Sequence, residues 1–408
     1  MNHGTVITGL GVMAPTGSSV DDYWKSTLTG ASAVAPISRL PVDGYPLKLA
    51  GEITTALPGE ERLSGRLLPQ TDRTTRMSLV AAAEAVADSG LDLAGQSAFD
   101  VGVAVATETG GLEFGQEQLQ KLWSEGWQTV SAYMSFAWYY AVDTGQISIR
   151  NGTKGPGGVV LSEQSSGLDS LAFGRRQIRK GTDVMLCGGF DSMLCPYGIA
   201  ILSTAEGYST SSDPARAYRP FSADASGWVT GEGGAVCVLE SAEHAAGRGR
   251  VPYAALSGCA AAFDPDPGHP SGDGLRRALV NALRDARLAP EAVGLVMADG
   301  QGVSSLDRAE ANVIVDVFGD RGVPVCVTKS GTGRLMAGAG PVDVATAVLS
   351  MRDGRIPPSP GLDGAPVDER LDVVTGEPRE HEVRHAVVLS RGSGGSASAV
   401  VLSRCTPG

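Results

Sequence analysis

The stretch VVLSEQSSGLD at residues 159–169 decides how this chain is read. Its apolar start favours a strand, its small polar middle favours a tight turn, and Leu168 begins a run with helical spacing. We therefore predict a strand–turn–helix elbow, which holds one side chain at the positive N-terminal end of a helix. Enzymes place a Cys or Ser at such a tip. Here the tip is Gln164, whose carboxamide neither ionises nor forms a thioester, so the elbow has the design of an acyl-transfer site without its nucleophile.

Outward from the elbow, short β-rich runs alternate with Ala-rich helical stretches. This alternation predicts an α/β fold in which parallel sheets are covered by helices. Similar strand-like starts occur at residue 5 and again past mid-chain at residue 252, and the glycines at 247 and 249 mark a joint between them. We therefore predict two similar halves, residues 1–248 and 249–408. The predicted strands are 5–9, 101–106, 184–187, 252–256 and 294–297, and the predicted helices are 77–89 and 275–286.

Composition excludes several function classes. A formal net charge of −12 argues against nucleic acid as the main partner. Six scattered cysteines without a CxxC pair predict neither a disulfide framework nor a zinc site, and the five histidines show no metal-ligand spacing, so we expect no metal and no cofactor. The N-terminus has no basic region followed by a long apolar run, and no run approaches a membrane span, so we expect a cytoplasmic protein.

Three motifs invite other interpretations. GLGVMA at 9–14 follows a strand like a dinucleotide fingerprint, but Pro15 interrupts the expected helix and no acidic residue ends a second strand at the right distance. TKSGTG at 328–333 has P-loop letters in the wrong order. Cys187 ends an apolar strand with no basic neighbour in sequence, so a buried small side chain is favoured over a nucleophile.

The whole chain resembles the β-ketoacyl synthases of the thiolase superfamily. More closely, it is similar to the chain-length factors that accompany the ketosynthase of type II polyketide synthases. The resemblance implies a thiolase-like fold, with two similar βαβαβ halves in a five-layered α-β-α-β-α arrangement. Besides the Glu163–Gln164 pair, the segments that carry it are VITGLGV (6–12), GRLLPQTD (65–72), SFAWYYAV (135–142), TGQISIR (144–150), GEGG (231–234) and TGRL (332–335).

By this resemblance, the Cys-His-His triad of a ketosynthase is absent. Gln164 stands at the position of the Cys, while Asp299 and Arg334 stand at the positions of the two His residues. The segment RGSGGS at 391–396 also departs from the Gly-Phe-Gly-Gly-His pattern of the family. Supporting positions do match, at Lys329, Glu310 and Asp307, and without the triad we expect them to form a buried ion-pair scaffold. We also expect Arg334 to pair with Asp299 or another acid.

The resemblance implies a non-condensing subunit. Such a chain would pair with an active ketosynthase, bound the acyl tunnel at their interface, and meet an acyl carrier protein that carries the polyketide chain. Leu112, Gly115 and Leu119, spaced for one helix face, resemble the tunnel-gating positions. The segment 158–162 resembles a strand that pairs across the heterodimer.

Two enzymatic alternatives stay open on sequence. The chain could decarboxylate a malonyl thioester and prime synthesis through Gln164, although an anionic Asp299 would oppose a developing enolate. A stand-alone condensing enzyme that uses Cys187 is the weaker alternative.

Overall fold

A computed structural model describes residues 4–53, 56–57, 59–264, 266 and 271–405. In these ranges the strands are β1 (Thr5–Met13), β2 (Val34–Pro36), β3 (Leu49–Gly51), β4 (Val101–Ala106), β5 (Val184–Asp191), β6 (Thr230–Gly231), β7 (Gly233–Ser241), β8 (Ala254–Phe263), β9 (Leu295–Met297), β10 (Pro324–Cys326), β11 (Arg355–Ile356), β12 (Asp372–Val373), β13 (Arg379–Glu380), β14 (His385–Arg391) and β15 (Ser396–Arg404). The helices are α1 (Val20–Leu28), α2 (Arg73–Ser89), α3 (Leu112–Glu125), α4 (Val142–Asn151), α5 (Ser166–Arg179), α6 (Pro196–Thr204), α7 (Ala242–Gly247), α8 (Asp273–Ala286), α9 (Ser304–Phe318), α10 (Lys329–Thr332) and α11 (Ala339–Asp353). The five strands and two helices predicted from the alternation each overlap an element of their own type, whereas the strand predicted at 158–162 does not.

Ten strands follow the order β12-β10-β9-β14-β15-β8-β1-β7-β5-β4. The joint in the middle is narrow, because β1 and β8 share only the pairs Val6 with Ala255 and Ile7 with Ala254. By contrast, β1 pairs with β7 along its length. The strands therefore divide into an N-terminal group, β4-β5-β7-β1, and a C-terminal group, β8-β15-β14-β9-β10-β12. The joint coincides with the chain segment between α7 and β8, and the division of the chain at 248/249 stays a prediction.

Both groups are mixed, so the prediction of parallel sheets is wrong. Strand β7 is antiparallel to both β1 and β5, and β15 is antiparallel to β14 and β8, while β4–β5 and β9–β10 are parallel. The turn at 392–395 joins β14 directly to β15, and such a short connection allows only an antiparallel pair. Alternation of elements along the sequence does not reveal which connections are short.

Helices cover the strand groups in five layers, as predicted. Helix α11 lies in the centre, touching β7 and β5 on one side and β14 and β9 on the other, and α5 lies beside it between β5 and β15. Residues 339–351 of α11 are buried all round, which their small and apolar side chains permit. Helix α2 covers the outer face of the N-terminal group, and α8 and α9 cover the outer face of the C-terminal group.

The segment 158–162, predicted as a strand, forms no strand within this chain. Gly155 and Gly158 donate their amides to Val101 and Val103 of the edge strand β4, and the chain then runs on without a ladder. Leu161 is 48% exposed. The segment lies beyond the edge strand β4, and its outer side faces no strand of the described chain, which leaves its backbone groups available for pairing.

Across the described ranges, no helix combines the length and the apolarity that a bilayer crossing requires.

Candidate functional site

The turn and the helix of the predicted elbow are present, without the strand before them, and the residue at the tip is Gln164. The residue directly precedes Ser165, the N-cap of α5. Glu163 has a φ of 54°, in the left-handed region that a residue with a side chain seldom adopts. Its carboxylate accepts a hydrogen bond from the amide of Gly394 at 2.7 Å, which ties the elbow to the β14–β15 turn and offsets the backbone strain.

Both ends of the Gln164 side chain are engaged. Its Oε1 accepts from the backbone amide of Ser393 at 3.0 Å, and its Nε2 donates to Glu108 Oε1 at 3.5 Å. The residue is only 4% exposed. Burial, reinforced by Asp191 and Glu163, raises the pKa of Glu108 to about 8, so this carboxyl is largely protonated at neutral pH. A neutral amide beside a neutral acid offers no nucleophile.

The two positions expected to lack histidine form a buried ion pair. Arg334 Nη2 lies 3.0 Å from Asp299 Oδ1, and the two side chains are 2% and 0% exposed. Burial alone would raise the pKa of Asp299, but Arg334 and the neighbouring Arg391 hold it below the ordinary value. Asp299 is therefore an anion, and Arg334 cannot act as a base because a guanidinium keeps its proton.

A second arginine completes the network. Arg391 Nε lies 3.5 Å from Asp299 Oδ2, and its Nη2 lies 2.8 Å from Glu310 Oε2. Glu310 also accepts from the amides of Asp299, at 2.7 Å, and Gly300, at 3.0 Å. Two cations thus face two anions inside the protein, with Glu310 fixing the backbone that carries Asp299. We call Asp299, Arg334, Arg391 and Glu310 the closed network.

Of the three supporting residues, Lys329 and Glu310 form buried ion pairs, and Asp307 forms none with the described residues. The ammonium of Lys329 pairs with Asp343 and donates to Ala298 O at 3.0 Å. Asp307 instead accepts from the backbone amides of Phe221, at 2.8 Å, and Gly302, at 3.0 Å. Burial raises the pKa of Asp307 to about 7. Its position in α9 aims it at a loop rather than at a cation, which residue type alone did not indicate.

Sequence reasoning missed three members of the site, which are Arg391, Ser393 and Glu108. The departure of residues 391–396 from the family pattern was the available signal for the first two. Glu108 follows the carboxyl end of β4, and polar residues at that edge are good candidates for a site. Their distances from Gln164 in sequence, more than 50 residues for Glu108 and more than 200 for Ser393, concealed the contacts.

The predicted gating residues lie on α3, with different degrees of burial. Leu112 is half-buried and packs at the edge of a core cluster, Gly115 is buried, and Leu119 is 44% exposed. A Cβ on Gly115 would meet only the Cβ of Trp138, at 3.3 Å. The face is therefore open towards its C-terminal end, where Trp123 is 83% exposed.

Aromatic side chains continue this open region. The rings of Trp138, Tyr139 and Tyr140 contact one another in turn, the first pair edge to face, with centroids 5.9 Å and 4.1 Å apart. All three residues are more than one third exposed. Trp127 is 73% exposed. We call α3 with residues 138–140 the open face.

Cys187 is fully buried, opposite Cys237 in the β5–β7 ladder, and burial raises its pKa well above the ordinary value. A fully buried thiol with a raised pKa is a poor nucleophile, so the structure does not support a stand-alone condensing enzyme that uses Cys187. All six cysteines are free thiols. Within the described ranges, no group of His, Cys, Asp and Glu side chains has an arrangement that fits a metal ion.

A cavity of about 420 Å³ lies beside the closed network, lined by Arg391 and Ser393 and by the stacked rings of Tyr208 and Trp228. Gln164, Asp299 and Arg334 are not among the residues that line it.

Comparison with known proteins places these features in a family. The Beta-ketoacyl synthase, N-terminal domain, matches residues 4–245, and the Beta-ketoacyl synthase, C-terminal domain, matches residues 253–363. Actinorhodin polyketide putative beta-ketoacyl synthase 2 of Streptomyces coelicolor is 48% identical over 98% of this chain and 99% of its own length. The tetracenomycin polyketide synthase ketoacyl synthase beta subunit of Streptomyces glaucescens is 47% identical over 98% of both chains.

Solved structures agree. The ishigamide ketosynthase/chain length factor superposes with a TM-score of 0.89 at 26% identity and covers all of both chains. A type II PKS acyl-carrier protein in complex with its ketosynthase, AntDE:AntF, gives 0.89 at 25% identity over 99% of this chain and 100% of the matched chain.

Proposed function

The chain belongs to the β-ketoacyl synthase family, and we propose that it is the non-condensing chain-length factor of a type II polyketide synthase, paired with a separate, active ketosynthase. The observation that carries the proposal is the closed network. A family member whose catalytic positions are held by Gln164, Asp299 and Arg334 keeps the fold and loses the chemistry.

The chemistry explains why this chain needs a partner. Condensation requires a thiolate that carries the growing acyl chain as a thioester, while a second thioester loses CO2 and attacks as an enolate. The enolate oxygen needs hydrogen-bond donors that are free to receive negative charge. Here the donors of Arg334 already face Asp299, whose anionic carboxylate repels an enolate. The partner must supply the nucleophile and the donors, and an acyl carrier protein must bring the acyl groups.

Priming through Gln164 is not favoured. A decarboxylating site would need the Gln164 carboxamide and two neutral donors around one vacant position. Instead, its oxygen accepts from Ser393 and the neighbouring positions are a salt-bridged pair. The remaining role of this chain therefore lies at its open face, where we propose that it binds the ketosynthase. We also propose that it works in the cytoplasm, beside the other polyketide synthase subunits.

Assembly is the first test. The chain should be expressed alone and together with an active ketosynthase from the same cluster, and the mass of the purified species measured by light scattering. We expect a 1:1 complex that elongates malonyl units on a carrier protein, with elongation abolished by a Cys→Ala change in the ketosynthase. A monomer that ignores the ketosynthase, or elongation by this chain alone, would contradict the proposal.

The proposed pairing strand is the segment 158–162, which lies beside the edge strand β4. Leu161 projects from it half exposed, and an aspartate there places a charge where an apolar partner surface is expected. We expect Leu161→Asp to weaken the heterodimer at least tenfold. Val251→Asp, at a side chain 72% exposed between the two halves, is the control and should leave the affinity unchanged. Equal effects of the two changes would rule out this strand as the interface.

The gating residues are tested through product length. Gly115→Thr adds atoms beside Trp138, and close-packed walls absorb added volume poorly. An acyl chain would meet this obstacle only after it had grown to that depth, so products should become shorter while early condensations continue. Leu112→Phe with Leu119→Phe should act in the same direction.

A helix glycine with open space gives the matched control. A Cβ on Gly145 in α4 would meet nothing within 4 Å, so Gly145→Thr changes helix propensity alone. Mass spectrometry of the products from equal amounts of each complex decides. An unchanged length distribution in Gly115→Thr would withdraw the gating assignment and leave the subunit assignment standing.

A further inference from the structure

Helix α3 lacks a cap of its own. Its N-cap residue is Gly111, which offers no side chain, so the first amides of the helix need acceptors from elsewhere. This matters because Leu112 and Gly115 lie in that first turn. Whatever holds the turn also holds the proposed tunnel wall.

Asp72 supplies the missing cap from another helix. Its Oδ2 accepts from the amide of Phe114, the third residue of α3, at 2.8 Å. Its Oδ1 accepts from the amide of Thr74 at 2.8 Å, as the N-cap of its own helix α2. One buried carboxylate, 4% exposed, therefore caps two helices at once.

The local sequence makes room for this double cap. A Cβ on Gly111 would lie 3.0 Å from the Cβ of Asp72 and 2.1 Å from Ala137 O, so only glycine lets α3 begin this close. The other tie to this turn is more exposed, since Glu113 pairs with Arg39 at 3.0 Å with side chains 33% and 19% exposed. That ion pair restrains a side chain, whereas Asp72 accepts from a backbone amide of the turn itself and so anchors its backbone.

We infer that Asp72 is a positioning residue for chain length, which fixes the start of α3 and through it the depth at which Leu112 and Gly115 meet the acyl chain. The inference rests on the proposed function. In this role Asp72 acts through the amide of Phe114. Loss of the Asp72 cap should broaden the distribution of product lengths and leave the rate of the early condensations unchanged.

A serine at position 72 separates the two caps. Serine is a good N-cap for α2, but its short side chain cannot also reach Phe114. In the heterodimer, we expect Asp72→Ser to accelerate hydrogen exchange in the first turn of α3 about fivefold, roughly what one lost cap is worth, and to leave the first turn of α2 unchanged. The ratio of the main product to its next shorter neighbour should fall by a similar factor.

Glu113→Gln is the control within the same turn, since it weakens the exposed ion pair and keeps the cap; it should leave the product ratio unchanged. If Asp72→Ser does not assemble, Asp72→Asn takes its place, because its single oxygen can serve only one of the two amides, and the same two measurements decide.

The inference is overturned if the product ratio stays at the wild-type value when Phe114 exchanges faster, or if α2 loosens as much as α3. If Gly115→Thr shortens the products and Asp72→Ser does not alter them, only this inference fails. If neither change alters the products, the tunnel assignment of the proposed function fails.

Discussion

The closed network and the open face differ in the burial and pairing of their side chains. In the network, Arg334 and Asp299 neutralise each other at 2% and 0% exposure. On the open face, Leu119, Trp123 and Trp138 lie 44–83% exposed, with no cover from the described chain. Buried charges in the network are offset by opposite charges at close range, whereas the exposed side chains of the open face are apolar and lie in water. Exposed apolar patches of this kind mark interaction surfaces, which is why we propose that the open face binds the partner.

The largest expected effect comes from breaking the closed network. Asp299→Ala leaves Arg334 and Arg391 buried with one anion fewer, and removing one partner of a buried pair typically costs about 3–5 kcal/mol. The free energy of unfolding in urea measures it. Arg384→Ala, which breaks a pair 72% and 59% exposed, should cost far less, because water screens both charges. Similar costs for the two variants would show that the network is not the closed structure described.

A buried acid without a partner sharpens the contrast with the network. Asp143 in α4 is 1% exposed, and neither of its carboxylate oxygens makes a hydrogen bond within the described chain. Burial, with Asp72 and Asp191 nearby, raises its pKa to about 7, above the ordinary value for an aspartate. The folded state therefore binds more protons than the unfolded state between about pH 4 and 7.

The free energy of unfolding should consequently fall as pH rises through that window. Asp143→Asn removes the ionisation, so the variant should be more stable than wild type by about 1–3 kcal/mol at pH 8, and the advantage should vanish near pH 4. Urea unfolding at several pH values measures this. Asp22→Asn, at an exposed position in α1, is the control. An advantage that does not depend on pH would refute the assignment.

A smaller loss of stability is expected when the side chain of the buried Gln164 is removed. Gln164→Ala deprives the Ser393 amide of its acceptor, which costs about 1–3 kcal/mol, and the heterodimer should keep most of its condensing activity. Activity is measured with malonyl carrier protein alone and again with an acetyl starter. Loss of activity that the starter restores would revive the priming role that the geometry disfavours.

The smallest effect on folding is expected on the open face. Trp123 is 83% exposed, so Trp123→Ser should change the free energy of unfolding by no more than about 0.5 kcal/mol. The same change should weaken binding to the ketosynthase, because exposed aromatic side chains anchor interfaces. Val251→Ser serves as the control. Calorimetric titration measures the affinity, and equal affinities for the two variants would remove Trp123 from the interface.

The sequence alone predicted much of this molecule. Hydrophobic periodicity identified the helices α2 and α8 and the strands β4 and β5, because buried faces impose their period on local sequence. The turn and helix of the elbow at 159–169, and the absence of a nucleophile at Gln164, could also be predicted, because they depend on neighbouring residues. The resemblance to β-ketoacyl synthases added the five layers and the degenerate positions 299 and 334.

Only the tertiary structure decided how distant residues meet. The closed network joins Asp299, Arg334 and Arg391 from three separate elements, and Asp307 turned out to hold backbone amides where an ion pair was predicted. The mixed direction of the strands depends on which connections are short, and the missing ladder at 158–162 depends on what surrounds that segment in the fold. Asp72 is the simplest example of what the sequence could not predict. Its place before α2 predicts one cap, and the second arises because folding brings the start of α3 to the same carboxylate. Local sequence fixes local geometry, whereas hydrogen bonds across long separations form only after the layers pack.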